Sequence, residues 1–242
     1  MKRLAFIAVI ISFVTLQVVA QEAIAKADKF FAARDSIDSL KLAAGLMDDL
    51  AKREPANFEA VWRLARLKYY IADREKDNAK KGKALQAAMD AAKKAVELDP
   101  GRVEGHFWLG ASTGEYADLK GALQSLTLVK TVRREFEAAL AINPAYENGD
   151  IYSALGQIDL NLPRLLGGNE RRGLERLEQG LKVGVNNLDL KLTLAEVCVK
   201  KGRNDEARGL LESLLGASDP TRSPFEQEDI KAKARSLLEK VK

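Results

Sequence analysis

At 242 residues, 31% of them charged and only 6% aromatic, the chain is long enough to bury a real core and its composition favours helix over strand. Its formal net charge of +4 is spread along the sequence, which excludes the clustered basic face of a nucleic-acid binder. Cys198 is the only cysteine, so an intrachain disulfide is excluded as well.

The first twenty residues read as a secretory signal peptide. Lys2 and Arg3 precede an apolar run from Leu4 to Leu16, and Val18-Val19-Ala20 offers small residues for cleavage before Gln21. The alternative is an uncleaved anchor, since the run is close to a short spanning length. A lipoprotein would need a cysteine just after the run, and none is there. Removal of residues 1–20 takes Lys2 and Arg3 with it and lowers the net charge from +4 to +2. The expected location is the periplasm.

Residues 22–33 predict a helix with Ile24, Ala27, Phe30 and Phe31 on one side. A break at 34–36 leads to a second helix, 37–53, which Pro55 ends. Asn57 can cap the next, from Phe58 past Tyr70. The charged stretch 73–83 reads as a solvated helix extension or loop, and 84–98 as a helix with a largely alanine face. Helices are then expected over 104–114, 119–142, 152–160, 171–183, 189–200 and 205–215. Residues 161–168 read as an irregular loop holding Pro163, Leu162, Leu165, Leu166 and the pair Gly167-Gly168. Residues 219–224 read as a linker, and Ser223-Pro224-Phe225-Glu226 has the spacing of a capping box that opens a terminal capping helix.

The elements repeat. Pro55 to Pro100 is 45 residues and Pro100 to Pro144 is 44; Leu64 to Leu109 is 45 and Leu109 to Leu155 is 46. Leu194 to Ala207 is 13, the separation between the two helices of a tetratricopeptide (TPR) repeat of about 34 residues. The earlier repeats read as the same unit with about ten residues inserted between its helices, compared with that period. HEAT-type repeats share the longer period, but Leu-Gly in the first helix and Asp/Asn-Pro after the second favour TPR. The expected fold is therefore all-α: a TPR-like helical-hairpin superhelix with long helices and a C-terminal capping helix. Signal peptide 1–20, repeat domain 21–218, and linker with capping helix 219–242 are the expected divisions.

Several segments carry a family resemblance. Gly105 to Tyr116, Leu128-Val129-Lys130, Asn143 to Gly149, Tyr152 to Gly156, Leu162 to Asn169 and Leu194 to Ala207 together resemble TatT, the T component of TRAP (tripartite ATP-independent periplasmic) transporters. The likeness covers roughly residues 40–215. Regulators of microtubule dynamics look like more distant relatives. The resemblance implies a periplasmic TPR-type protein that partners a solute-binding protein, holds a small hydrophobic ligand, and self-associates as a homo-oligomer.

TPR geometry also nominates binding residues. With Leu64 and Leu109 at the seventh position of their first helices, Trp62 and Phe107 fall at the fifth, on the concave wall, with Arg66 and Tyr69 further along it. Rigid aromatics suit contact surfaces, and packing between repeats is the alternative. Leu165 and Leu166 are either loop anchors or an exposed apolar patch for a partner. His106 and Cys198 read as structural. Gly167-Gly168 lacks the Gly-Lys-Ser/Thr continuation of a phosphate loop. No catalytic set, metal-ligand spacing or cofactor fingerprint is found, so no enzyme activity is expected. The leading expectation is an accessory component of a TRAP uptake system. The alternative is an envelope adaptor that binds proteins or peptides on its concave face without a transport role.

Overall fold

The computed structural model describes residues 2–241, with side chains at 17–121 and 127–241. Eleven α-helices are described: α1 (Lys2–Ala32), α2 (Ile37–Arg53), α3 (Phe58–Arg74), α4 (Asn78–Leu98), α5 (Val103–Lys120), α6 (Ala122–Ile142), α7 (Asp150–Asn161), α8 (Glu170–Val183), α9 (Leu188–Lys200), α10 (Asn204–Gly216) and α11 (Pro224–Lys240). Short 3-10 turns occupy Tyr146–Gly149 and Arg164–Leu166, and no strand occurs among the described residues. The all-α, TPR-like hairpin fold follows the repeat pattern. The signal peptide expected at 1–20 lies largely outside the residues described with side chains, and α1 is continuous to Ala32 rather than starting near residue 22. Among the described residues, no helix is long and apolar enough to cross a membrane.

Local chemistry sets the boundaries. Ser36, Asn57, Asp77, Asn169, Asn187 and Ser223 each accept a backbone N–H from the residue three positions on, satisfying donors that a helix start leaves open. At Ser223 the box is complete: Glu226 N donates to Ser223 Oγ and Ser223 N donates to Glu226 Oε2. The extra length of the early repeats differs from an insertion between helices. It lies in the helices themselves: α3 and α4 have 17 and 21 residues, where α9 and α10 have 13 each. Most of the charged stretch 73–83 is accordingly helical, with only 75–77 between α3 and α4. The register of the repeat survives because whole turns are added to both arms of the hairpin.

The chain divides into two compact units, residues 1–100 and 101–242. In the first, α2 packs on α1 and α3, and α3 on α4. Leu40, Met47 and Leu50 of α2, Leu67 of α3 and Leu85 of α4 are fully buried, and Ala88, Ala92 and Ala95 give α4 the small face that close approach requires. In the second unit the hairpins α5–α6, α7–α8 and α9–α10 succeed one another, and α11 covers α9 and α10. There Leu188, Leu192, Leu211, Leu214, Ile230 and Ala234 form one apolar cluster, so the terminal helix closes the last hairpin. Leu194 and Ala207, the pair whose spacing first pointed to the hairpin, share a second cluster with Leu177, Leu190 and Cys198.

Candidate functional site

The residues expected on a concave wall are held in packed seams. In the first unit Trp62 is 7% exposed, and its Nε1 donates to Glu59 Oε2 at 2.9 Å. The guanidiniums of Arg63 and Arg66 lie 4.4 and 4.8 Å from the Trp62 ring centre, and Arg66 lies 3.7 Å from that of Phe31 on α1. Asp28, one turn earlier on α1, accepts from Arg63 Nε at 2.9 Å and from Arg66 Nη2 at 3.1 Å. Trp62 and Arg66 are thus brought together, and Asp28 and Phe31 of α1 hold Arg66. Tyr69 is half-buried and stands edge-on to Tyr70 at 5.7 Å. In the second unit Phe107 is the centre of an aromatic cluster, with Trp108 and Tyr146 at 5.0 Å and Phe136 at 5.7 Å.

The loop after α7 has the opposite character. Pro163 to Gly167 are all exposed; Leu165 is 98% exposed and Leu166 48%. An apolar residue held so far into water is unusual enough to ask what keeps it there. The turn closes on itself: Leu166 N donates to Pro163 O at 2.8 Å and Gly168 N to the same oxygen at 3.1 Å. Gly167 takes a left-handed φ of 89°, and a Cβ at Gly168 would fall 1.8 Å from Leu162 O, so the glycine pair is required by conformation and by space.

Beneath the turn sits Asp159, whose side chain is 0% exposed. It accepts from Arg133 Nη1 of α6 at 2.6 Å and from Arg172 of α8 through Nε at 2.7 Å and Nη2 at 2.5 Å; Arg176 Nη1 of α8 lies 3.1 Å away. Burial by itself would raise this carboxyl, but Arg172 and Arg133, with the charge of Arg176, hold it below the usual carboxylate range. The same guanidiniums reach outward. Arg172 Nη2 donates to Gly167 O at 3.0 Å and Arg133 Nη2 to it at 3.3 Å. Asn169 N donates to the Asp159 backbone oxygen at 2.8 Å. The turn is therefore fastened to α6, α7 and α8 at once.

A second polar node was not foreseen from the sequence. Arg222, in the linker before α11, donates to Asp150 Oδ2 at the start of α7 at 2.5 Å and to Asp189 Oδ2 at the start of α9 at 3.0 Å. Asn187 Nδ2 donates to Asp150 Oδ1 at 2.7 Å and to Asn148 O at 3.0 Å. Burial pushes the Asp150 carboxyl up to about 6; Arg222 and Asn187 oppose that, while Asp189 and Glu147 add to it. Glu147 and Asn148 are left-handed at φ 47° and 56°, a strained entry to α7 that this node stabilises. Acidic residues at 150 and 189 look in sequence like ordinary first-turn acids, and Arg222 looks like a solvated linker residue. Only the linker's return across both helix starts joins them.

Other singled-out residues are paired or buried. His106 Nδ1 lies 2.7 Å from Glu135 Oε2, and Arg134 also bonds that carboxylate. Cys198 is buried, and burial pushes its thiol pKa up, away from the reactive thiolate. Among the described residues no cluster could hold a metal ion.

The solved structures this chain resembles carry the same architecture. TTC0263, a TPR protein of Thermus thermophilus, matches with a TM-score of 0.66 at 20% identity over 90% of this chain and 98% of that one. Pseudomonas aeruginosa PilF matches with 0.58 at 13% identity, over 94% and 93%. MamA matches with 0.51 at 19% identity, over 81% and 92%. Identities this low show the fold alone: the chain has a TPR-type all-helical fold. No curated protein sequence matches it. The family described as regulator of microtubule dynamics protein 1-3 matches residues 23–157, from the last third of α1 to within α7. That span is more than half of the chain, which therefore belongs to the regulator of microtubule dynamics protein 1-3 family.

Proposed function

We propose that the chain is an exported protein-binding scaffold that serves as the accessory component of a TRAP-type uptake system and docks its solute-binding protein. The observation that carries the binding role is Leu165, wholly exposed on a turn that three helices hold rigid. A preordered apolar side chain gains contact area without the entropy cost of ordering a loop. The likeness of Leu162 to Asn169 and of the helix motifs to TatT supports the transport role. The basic start followed by an apolar run supports export to the periplasm.

A second reading is an envelope adaptor with no small ligand. What supports it is the packing of Trp62 and Phe107, two aromatics expected on the concave wall, against their own neighbours, which takes both rings away from a small apolar ligand. Either way the chain acts by binding and not by catalysis.

The test is gentle crosslinking of the tagged, full-length protein in its native host, with mass spectrometry of what is captured. A solute-binding protein at stoichiometric yield, lost in Leu165→Asp, is the expected result. Secretion or cell-wall machinery without a solute-binding protein would overturn the transport role and leave the adaptor.

A further inference from the structure

We infer that the Leu165–Leu166 turn docks into an apolar recess rimmed by carboxylates on a partner protein, with Arg164 and its neighbouring guanidiniums supplying the complementary charge. The inference rests on the binding role proposed for this turn and adds the chemistry of what it binds.

Charge around the knob is lopsided. Arg133, Arg172 and Arg176 converge on one buried acid, Asp159, and among the described residues only Arg176 has a further carboxylate, Glu137, at 3.1 Å. Arg164 adds a fourth guanidinium on the turn itself, fully in the exposed segment. Four cations thus stand against two carboxylates within the turn and its fastenings. Glu170, at the start of α8, is already paired with Lys201. Arg172 remains 42% exposed while bonded inward, so its outer edge faces solvent beside the knob. A positive rim around an apolar anchor is the mirror of an apolar recess with an acidic rim, and such rims govern encounter rate and specificity.

The geometry favours a protein over a bilayer. Two leucine side chains bring less hydrocarbon than a single myristoyl chain, which by itself gives only marginal, reversible membrane binding. What the turn has instead is fixed shape. Its carbonyl at Gly167 is held by two arginines and its backbone closes on Pro163 O, which suits a complementary pocket and is wasted on a fluid surface.

The test uses the full chain with methyl-labelled leucine, titrated with two short amphipathic peptides that differ only in the charge flanking a central Leu-Phe pair: glutamates in one, lysines in the other. Leu165 and Leu166 methyl shifts that move with the acidic peptide alone, and that shrink in high salt, support the inference. Equal response to both peptides, or to neither, overturns it. Arg164→Glu, at a side chain outside the fastenings of the turn, is expected to weaken the acidic peptide about ten-fold at low salt, as rim-charge changes do. Leu165→Asp is expected to weaken it at least about thirty-fold, the scale of a central anchor. Vesicles of phosphatidylcholine and phosphatidylglycerol that bind the wild type but not Leu165→Asp would overturn the inference in favour of lipid. A concentration-dependent dimer lost in the same variant would overturn it in favour of a second copy. If the acidic peptide binds but a TRAP solute-binding protein does not, the transport reading falls and the inference stands. If the solute-binding protein binds through Leu165 with no effect of Arg164→Glu, the charge argument falls and the reading stands.

Discussion

Arg172 grips both oxygens of Asp159, at 2.7 and 2.5 Å, and with the same Nη2 holds the carbonyl of Gly167 at 3.0 Å. One side chain therefore links a buried charge to the position of an exposed one-turn projection. The stability of the α7–α8 hairpin and the shape of the proposed contact have a common support.

Asp159→Asn is expected to destabilise the protein and release the turn. It leaves Arg133, Arg172 and Arg176 without their anion, and breaking a buried pair from one side costs about 3–5 kcal/mol. Because the folded pKa of Asp159 is depressed, its contribution is present above the unfolded carboxylate value and is lost as pH falls through the lower folded value. Urea denaturation of wild type and variant at neutral and strongly acid pH checks both: the difference at neutral pH should vanish in acid.

Asp150 has the opposite sign. Its folded pKa is raised to about 6, so its contribution is fully present below the unfolded value of 3.8 and is lost as pH rises through about 6. Wild type should therefore gain stability relative to Asp150→Asn as pH is lowered from about 7.5 to about 4.5, a window that spans the folded value. A flat difference between the two proteins across that range would show that Arg222 keeps Asp150 ionised throughout.

Two glycines set how closely α7 and α8 cross. A Cβ at Gly156 would stand 2.9 Å from Leu177 Cδ2 and 3.1 Å from Gly173 O; one at Gly173 would stand 2.7 Å from Leu160 Cγ and 3.0 Å from Gly156 O. Gly156→Ala and Gly173→Ala should each destabilise by about 1–3 kcal/mol, the cost of overpacking. Gly45→Ala and Gly209→Ala, in helices with nothing within 4 Å of the new carbon, should stabilise by about 0.5–1 kcal/mol. Thermal melts of the four variants decide it by sign.

Arg66 covers the Phe31 and Trp62 rings while bonding Asp28. Arg66→Lys is expected to lower the melting temperature nearly as much as Arg66→Ala. A compact ammonium cannot stack across two rings and reach the carboxylate together. A loss of partner binding in an Arg66 variant is to be read only after its melting curve.

The hairpins, their caps and their stops were legible in the sequence because each is written within a few residues. Asn57 caps Phe58–Arg74, Ser223 and Glu226 cap Pro224–Lys240, and proline follows the ends of α2, α4 and α6. The spacing of 44 to 46 residues announced repetition for the same reason: equal units must place equal residues at their contacts. Tertiary structure decided what the singled-out side chains do. Trp62 and Phe107 occupy wall positions by spacing, yet Arg63 and Arg66 stacked on the first, and Phe136 against the second, help reduce their exposure to 7% and 6%. Leu165 could have been an anchor or a knob. Its fate depends on Asp159 meeting Arg133, 26 residues earlier, and Arg172, 13 residues later. Burial and ion pairing are properties of such meetings, and no local pattern encodes them.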